Sequence, residues 1–209
     1  MLGYIGTDAA VPAIVLADCL RAANDDSFNA ITVDSDTSTN DSVFLMASGM
    51  AGNRLIADAN DPALADFRAA LAAVMRDLAI QIVRDGEGAT KLVTIDIVGA
   101  KTNAIARQIG LAIANSPLVK TAIAGEDANW GRIVMAIGKL GIGIPSDAIS
   151  IDIGGYAVAR DGMRIADYDE TPIAAHMTGQ MIDLAVTVGA GGGTAQVWTC
   201  DLTHGYISI

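Results

Sequence analysis

The chain has few aromatic residues, cysteines, histidines and basic residues, and each shortage narrows the range of possible functions. Aromatic side chains make up only 4% of its 209 residues, so a buried core has to be built mainly from Ala, Val, Ile, Leu and Met. Apolar residues reach 52% and charged residues 18%. Such a composition excludes a disordered chain, which has few apolar residues and many charges. We therefore expect a folded domain with an aliphatic core.

The scarcity of cysteine and histidine argues against metal and triad chemistry. Cys19 and Cys200 lie far apart, with no second cysteine or histidine at zinc-ligand spacing. The sequence contains His176 and His204 but no Gly-x-Ser-x-Gly segment, so a Ser–His–Asp triad on a nucleophile elbow is not expected. Two buried free thiols would suit a reducing compartment. The sequence predicts neither a metal nor an organic cofactor.

The chain also has few basic residues and no long apolar run. The 13 Lys and Arg residues face 24 Asp and Glu residues, for a formal net charge of −11. This charge repels polyanions, so we expect no nucleic-acid and no membrane partner. No segment approaches the roughly 20 apolar residues that span a bilayer, and the first residues lack the basic region of a signal peptide. We therefore expect a soluble, cytoplasmic protein.

Apolar periodicity and turn residues predict strands mixed with helices over the first two thirds of the chain. The expected strands are 2–6, 28–33, 92–98 and 118–124, and the expected helices are 12–24, 61–84, 103–114 and 130–140.

The remaining third is rich in short β-type runs. Gly154-Gly155 and Asp161-Gly162 separate three of them, as in β-hairpins. A last hairpin is expected from 182–188 and 195–199. Helices combined with these hairpins predict a mixed α/β (α+β) fold with mixed and antiparallel sheets packed on helices. We place a domain boundary near residue 140, between an α/β domain (1–140) and a smaller β-rich portion (141–209).

Two polar segments are candidate binding loops. Residues 34–41, which include Asn40, concentrate carboxylates, hydroxyls and an amide between apolar elements. They can bind a polar ligand or form a turn that bonds its own backbone. Residues 85–91 hold Glu87 between two glycines after a long helix. That carboxylate can pair with a substrate ammonium or stand in solvent at a helix end, and the residues alone leave both interpretations open.

Six segments occur in an order that is specific to one family. They are 1–9, 34–41, 86–91, 116–122, 127–132 and 201–206. Together they span nearly the whole chain. The set resembles the β chain of the ornithine acetyltransferase (glutamate N-acetyltransferase) family of arginine biosynthesis.

The resemblance implies an N-terminal-nucleophile chain, released when a precursor cleaves itself before a threonine. That threonine is expected immediately before Met1, so no residue within this sequence is assigned a catalytic role. A free α-amine has a pKa of about 8 and can accept the hydroxyl proton without a histidine. The implied reaction moves an acetyl group from N-acetylornithine to glutamate through an acetyl-threonine intermediate.

The resemblance also implies partners and substrate contacts. An α chain from the same precursor would supply the groups that stabilise the oxyanion, in an α2β2 heterotetramer. Glu87 matches the acid that contacts the amino-acid substrate, and Asn40 is a second candidate contact. In the family a short tail beyond Ile209 adds an Asn and a Thr to the pocket. Whether acetyl-CoA also serves as a donor stays open.

Two other functions remain compatible with these residues. A self-cleaving aminopeptidase or amidase would share the architecture but use water as the acceptor. A non-catalytic α/β binding subunit would need no nucleophile.

Overall fold

The computed structural model describes residues 1–208, which fall into two compact units. The first comprises Met1–Asn29 and Asp36–Gln81, and the second comprises Ala30–Ser35 and the residues from Ile82 onward. The strands are β1 (Leu2–Thr7), β2 (Ser42–Ala47), β3 (Leu92–Ala100), β4 (Ser150–Ile153), β5 (Tyr156–Arg160), β6 (Met163–Arg164), β7 (Met181–Thr187) and β8 (Gly193–Cys200). The α-helices are α1 (Ala13–Asp25), α2 (Leu64–Arg84), α3 (Asn103–Ala114), α4 (Pro117–Ala124), α5 (Trp130–Gly138) and α6 (Glu170–Met177). Short 3₁₀ helices lie at Phe28–Ala30, Ser146–Ala148 and His204–Ile207.

The first unit contains a parallel pair of strands. β1 and β2 pair from Leu2 opposite Ser42 to Thr7 opposite Ala47. Parallel neighbours need a crossover, and α1 lies in the connection between them. The buried face of α1 consists of Val15, Leu16, Cys19 and Ala23, at helical spacing. The helix predicted over 12–24 is therefore confirmed.

The second unit is built on a six-stranded sheet in the order β6-β5-β4-β7-β3-β8. β3 pairs with β7 in parallel, and the other pairings are antiparallel. Val93, Ile95 and Ile97 of β3 are fully buried. α3 packs on β3 and β8, and Gly110 permits the close approach because a Cβ there would lie 2.7 Å from Val197 Cγ2. The predicted mixed α/β fold with mixed and antiparallel pairing is confirmed.

The predicted last hairpin is wrong, because β7 and β8 are not neighbours. β3 lies between them and pairs with both. The glycine-rich connection instead bonds to the end of β3, where Val188 N donates to Val98 O at 3.0 Å and Gly191 N donates to Gly99 O at 2.9 Å. A strand as apolar as β3 is buried best with a neighbour on each side, and this long-range preference overrides the local hairpin signal.

The extended segment predicted over 118–124 is a helix, α4. Ser116 caps it by accepting a hydrogen bond from Val119 N at 3.4 Å, and Pro117 occupies its first turn. Ser followed by Pro is a helix-start signal that outweighs the β-branched residues downstream.

The strand predicted over 28–33 is also wrong. Its first three residues form a 3₁₀ helix, and Ile31 makes an isolated parallel bridge with Trp198. The extended run ends because Thr32 Oγ1 accepts from Ser35 N at 3.2 Å, and Ser35 has a φ of 80°. A local side-chain bond of this kind competes with strand pairing.

The boundary proposed at residue 140 remains a prediction. The β-rich character of the last portion is clear, since β4 to β8 all lie between residues 150 and 200. Their sheet also includes β3 from the earlier part of the chain. Within residues 1–208, no helix is both long enough and apolar enough to cross a membrane.

Candidate functional site

The start of β1 is bonded to the loop that precedes β2 in the first unit. Met1 N donates to Asp41 Oδ1 at 2.7 Å, and Ser42 N donates to Met1 O at 3.1 Å. The bond from the Met1 amine lowers the pKa of the Asp41 carboxyl. The end of this loop and the start of β2 therefore hold Met1, the residue before β1, through bonds to both its nitrogen and its carbonyl oxygen.

Asn40 lies in this loop and is exposed. Its Oδ1 accepts from Ser38 Oγ at 3.1 Å and from Thr39 Oγ1 at 3.0 Å. These bonds within the loop agree with the interpretation of a turn that satisfies its own polar groups. A role for Asn40 as a substrate contact stays a prediction.

A cavity of about 570 Å³ lies beside this loop in the first unit. Its lining mixes carboxylate, amide, hydroxyl and apolar groups, including Met1, Asn24, Ser38 and Asp41. Its volume falls in the range of small-molecule sites, and its polar groups come from loop and helix alike.

Glu87 lies in the loop of residues 85–91, here named the Glu87 loop, in the second unit. Its side chain is exposed, and within residues 1–208 its carboxylate makes no hydrogen bond or ion pair. Gly88 follows it with a φ of +67°. The exposed carboxylate is compatible both with a contact to a substrate ammonium and with a solvated helix end, so the role of Glu87 stays a prediction.

The Glu87 loop is bonded to residues 201–206, here named the C-terminal segment. Asp201 is 2% exposed, and its Oδ1 accepts from Thr90 N at 2.8 Å and from Lys91 N at 2.9 Å. Asp201 Oδ2 accepts from Thr90 Oγ1 at 2.5 Å. Thr203 Oγ1 donates to Gly88 O at 2.7 Å. The carbonyl and amide groups of the residues that follow Glu87 are thus bonded to one segment.

Two buried lysines support these segments, and the sequence analysis did not single them out. Lys91 Nζ donates to Met177 O at 2.6 Å, to Gly179 O at 3.1 Å and to Glu126 Oε1 at 3.2 Å. The Glu126 partner has a φ of 59°, in the left-handed region. Lys91 therefore joins the end of α6 to the Glu87 loop. The feature of the sequence that could have identified Lys91 is its position directly before the apolar strand β3.

Lys120 is the second buried lysine, at 3% exposed on the apolar helix α4. Its Nζ donates to Thr199 Oγ1 at 2.9 Å and to the Cys200 carbonyl oxygen, and lies 3.7 Å from Cys200 Sγ. Burial lowers the pKa of Lys120 and raises the pKa of the Cys200 thiol. These bonds fix the end of β8 immediately before Asp201.

The two candidate contacts belong to different units, Asn40 to the first and Glu87 to the second. Across the described part of the chain, no group of three or more His, Cys, Asp or Glu side chains is arranged to hold a metal ion.

The chain was compared with protein families, with curated relatives and with solved structures. The model of the ArgJ family matches residues 1–209. The arginine biosynthesis bifunctional proteins ArgJ of Gluconobacter oxydans and Zymomonas mobilis are 56% and 54% identical over the whole of this chain. The chain spans about half the length of these relatives, 49% and 51% respectively.

A solved structure agrees with the fold as well as with the sequence. It is the crystal structure of the arginine biosynthesis bifunctional protein ArgJ from Bacillus halodurans, 41% identical to this chain. The match covers 99% of this chain and 97% of that chain, with a TM-score of 0.95. Since the family model matches from the first residue to the last and the solved relative shares the fold, the chain belongs to the ArgJ family.

Proposed function

We propose that this chain is the β subunit of an acyltransferase that moves an acetyl group from N-acetylornithine to glutamate. The nucleophile is a threonine immediately before Met1, exposed when a precursor cleaves itself. The partner is the α chain from the same precursor, in an α2β2 assembly in the cytoplasm. The observation that carries the proposal is the match of the whole chain to the ArgJ family.

The lengths of the relatives support a two-chain organisation. The curated relatives are about twice as long as this chain, whereas this chain covers 97% of the solved Bacillus halodurans chain. A precursor that is cut into two parts of similar length accounts for both observations.

An exposed apolar face on the parallel strands supports a partner chain. Leu2 and Tyr4 of β1 are each 63% exposed, and Phe44 and Met46 of β2 are 46% and 54% exposed. Tyr4 and Phe44 stack on this face, with ring centroids 5.3 Å apart. Parallel strands are normally covered on both faces, and a sheet of two strands is marginally stable by itself. The proposed cover is the α chain.

The bonds at the start of β1 support the position of the nucleophile. A threonine before Met1 would continue β1 beside the loop of Ser38 and Asp41, at the rim of the 570 Å³ cavity. Met1 N would then be a peptide amide that still donates to Asp41. The nitrogen and the carbonyl oxygen of Met1, the residue next to the proposed nucleophile, are both hydrogen-bonded. A nucleophile beside a residue fixed in this way is held in one geometry, which acyl transfer requires.

The proposed chemistry has two half-reactions. The α-amine of the threonine accepts the hydroxyl proton as the hydroxyl oxygen attacks the acetyl carbonyl of N-acetylornithine. The C–N bond breaks, ornithine leaves with that proton, and an acetyl ester remains on the threonine. The neutral amine of glutamate then attacks the ester, and the threonine hydroxyl recovers its proton as N-acetylglutamate leaves.

Glu87 has a defined part in this proposal. Its free carboxylate pairs with an ammonium group of the amino-acid substrate, such as the side-chain ammonium of N-acetylornithine. A charge-assisted hydrogen bond of this kind is stronger than a neutral one and selects amino acids over neutral amides.

The proposal is tested by trapping the intermediate in the native enzyme with both chains. Incubation with N-acetylornithine labelled in its acetyl group, without glutamate, should add one labelled acetyl group to the N-terminal threonine of this chain, measured by intact mass. Addition of glutamate should remove the label and yield labelled N-acetylglutamate. Turnover with an unlabelled chain would refute the acetyl-threonine route. Rapid release of free acetate without glutamate would favour the amidase alternative.

The role of Glu87 is tested by Glu87→Ala in the same enzyme. We expect the KM for N-acetylornithine to rise about tenfold or more, because a hydrogen bond to a charged group is lost. Glu170→Ala is the matched control, since Glu170 is an exposed glutamate in the first turn of α6. An unchanged KM in Glu87→Ala would remove Glu87 from the site.

A further inference from the structure

Asp201 is almost fully buried, and the Glu87 loop supplies the hydrogen-bond donors to its carboxylate. Thr90 and Lys91 supply three donors within 2.9 Å. A buried carboxylate is costly unless donors compensate it. The cost of burying the Asp201 carboxylate is therefore compensated only while the Glu87 loop keeps its present backbone path. The same hydrogen bonds hold the loop in that path.

A second contact fixes the loop closer to Glu87, at the residue that follows it. Thr203 Oγ1 donates to Gly88 O, and the backbone of Gly88 lies directly against the C-terminal segment. A Cβ at residue 88 would come within 2.3 Å of Tyr206 N and 2.9 Å of Gly205 Cα. The close approach requires glycine and leaves the residue next to Glu87 little room to move.

The C-terminal segment is itself fixed to the core. Lys120 Nζ bonds Thr199 and Cys200 just before Asp201, and Leu202 N donates to Lys120 O at 3.3 Å just after it. Contacts therefore run without a break from α4 through Asp201 to the Glu87 loop. Such a support restricts a contact residue to one position, as an accurate binding site requires.

We propose that Asp201 is a positioning residue for substrate binding, which acts by holding the loop that carries Glu87. Thr203 contributes to the same task through Gly88. This inference rests on the proposed function for its substrate, but the structural part, a loop held by Asp201, stands without it. Asp201 itself touches no substrate in this proposal.

The test uses Asp201→Ala, Asp201→Asn and Thr203→Val in the native enzyme with both chains. Asp201→Ala removes all three acceptor contacts, so we expect the KM for N-acetylornithine to rise about tenfold with a smaller change in kcat. Asp201→Asn should restore most of the affinity. Its amide oxygen can still accept from Thr90 N and Lys91 N, while its amide nitrogen donates to Thr90 Oγ1. Thr203→Val serves as a second variant if Asp201→Ala does not fold.

A double-mutant cycle separates positioning from general destabilisation. If Asp201 acts through Glu87, Asp201→Ala should raise the KM no further in an enzyme that already carries Glu87→Ala. Asp152→Ala is the control, because the Asp152 carboxylate pairs at 2.5 Å with Arg160, which lies outside the Glu87 loop. Equal increases in both backgrounds would overturn the positioning role.

Hydrogen–deuterium exchange of the peptide that contains residues 85–91 tests the structural part without any activity. Exchange should be faster in Asp201→Ala and Thr203→Val than in the unaltered enzyme and the Asp152→Ala control. Unchanged exchange would overturn the proposal even in an enzyme without acetyl transfer. Faster exchange with an unchanged KM in an active enzyme would show that the bonds are structural only.

Discussion

Replacing Lys120 with Met should destabilise the protein, and the structure indicates by how much. Met is unbranched and similar in length, so it fills the site without a large cavity. It leaves the Cys200 carbonyl oxygen and Thr199 Oγ1 without the Nζ donor. Thr199 Oγ1 keeps a long bond to Ala114 O at 3.4 Å. With one to two charged hydrogen bonds lost and the cost of burying an amine removed, we expect a net loss of about 2 kcal/mol.

The effect should depend on pH in a defined direction. Burial lowers the pKa of Lys120 in the folded protein. Between that lowered pKa and the unfolded value of about 10.4, the unfolded chain binds a proton that the folded chain does not. The free energy of unfolding contributed by Lys120 therefore rises with pH across this interval. The difference in stability between the unaltered protein and Lys120→Met should widen as pH rises toward about 10.

Thermal unfolding followed by tryptophan fluorescence is a suitable assay, because Trp198 is 4% exposed and precedes Thr199 on β8. A loss of about 2 kcal/mol corresponds to a fall in Tm of roughly 4–8 °C for a domain of this size. Lys139→Met, at the exposed lysine that follows α5, is the control and should leave Tm unchanged. A difference that narrows as pH rises, or an unchanged Tm in Lys120→Met, would refute the reasoning.

Three further predictions test other parts of the protein. Gly110→Ala should cost about 1–3 kcal/mol because its Cβ would overlap Val197, and an added Val197→Ala should recover part of the loss in urea unfolding. Ser116→Ala should cost about 1 kcal/mol by removing the cap of α4, measured in the same way. Tyr4→Ser together with Phe44→Ser should weaken association with the proposed α chain by at least tenfold in sedimentation experiments, since each ring would bury roughly 100 Å² there. An unaltered assembly would show that another surface joins the chains.

The sequence predicted best those helices and turns that are determined by residues close together in the chain. The helix predicted over 103–114 matches α3, whose Thr102 cap accepts from Ile105 N at 3.2 Å. The turns at 154–155 and 161–162 join antiparallel strands as expected. Capping side chains and turn glycines act within a few residues, so their effect can be predicted without the rest of the chain.

The candidate site was predictable in part. Family resemblance pointed to Glu87 and Asn40, and both lie on exposed loops, although their contacts with substrate stay predictions. Asp201 and Lys120 were not singled out as buried partners of the site. Charged residues are usually exposed, and only the position of their distant partners explains their burial.

The sequence by itself determined the family, the mixed α/β class, most helices and the glycine-flanked acid in the Glu87 loop. Only the tertiary structure decided that β3 separates β7 from β8, and that Asp201 bonds Thr90 and Lys91, 111 and 110 positions away. The physical reason is the range of the forces involved. Helix caps and turns depend on neighbouring residues, whereas strand order and the burial of a charge depend on which distant groups share the core.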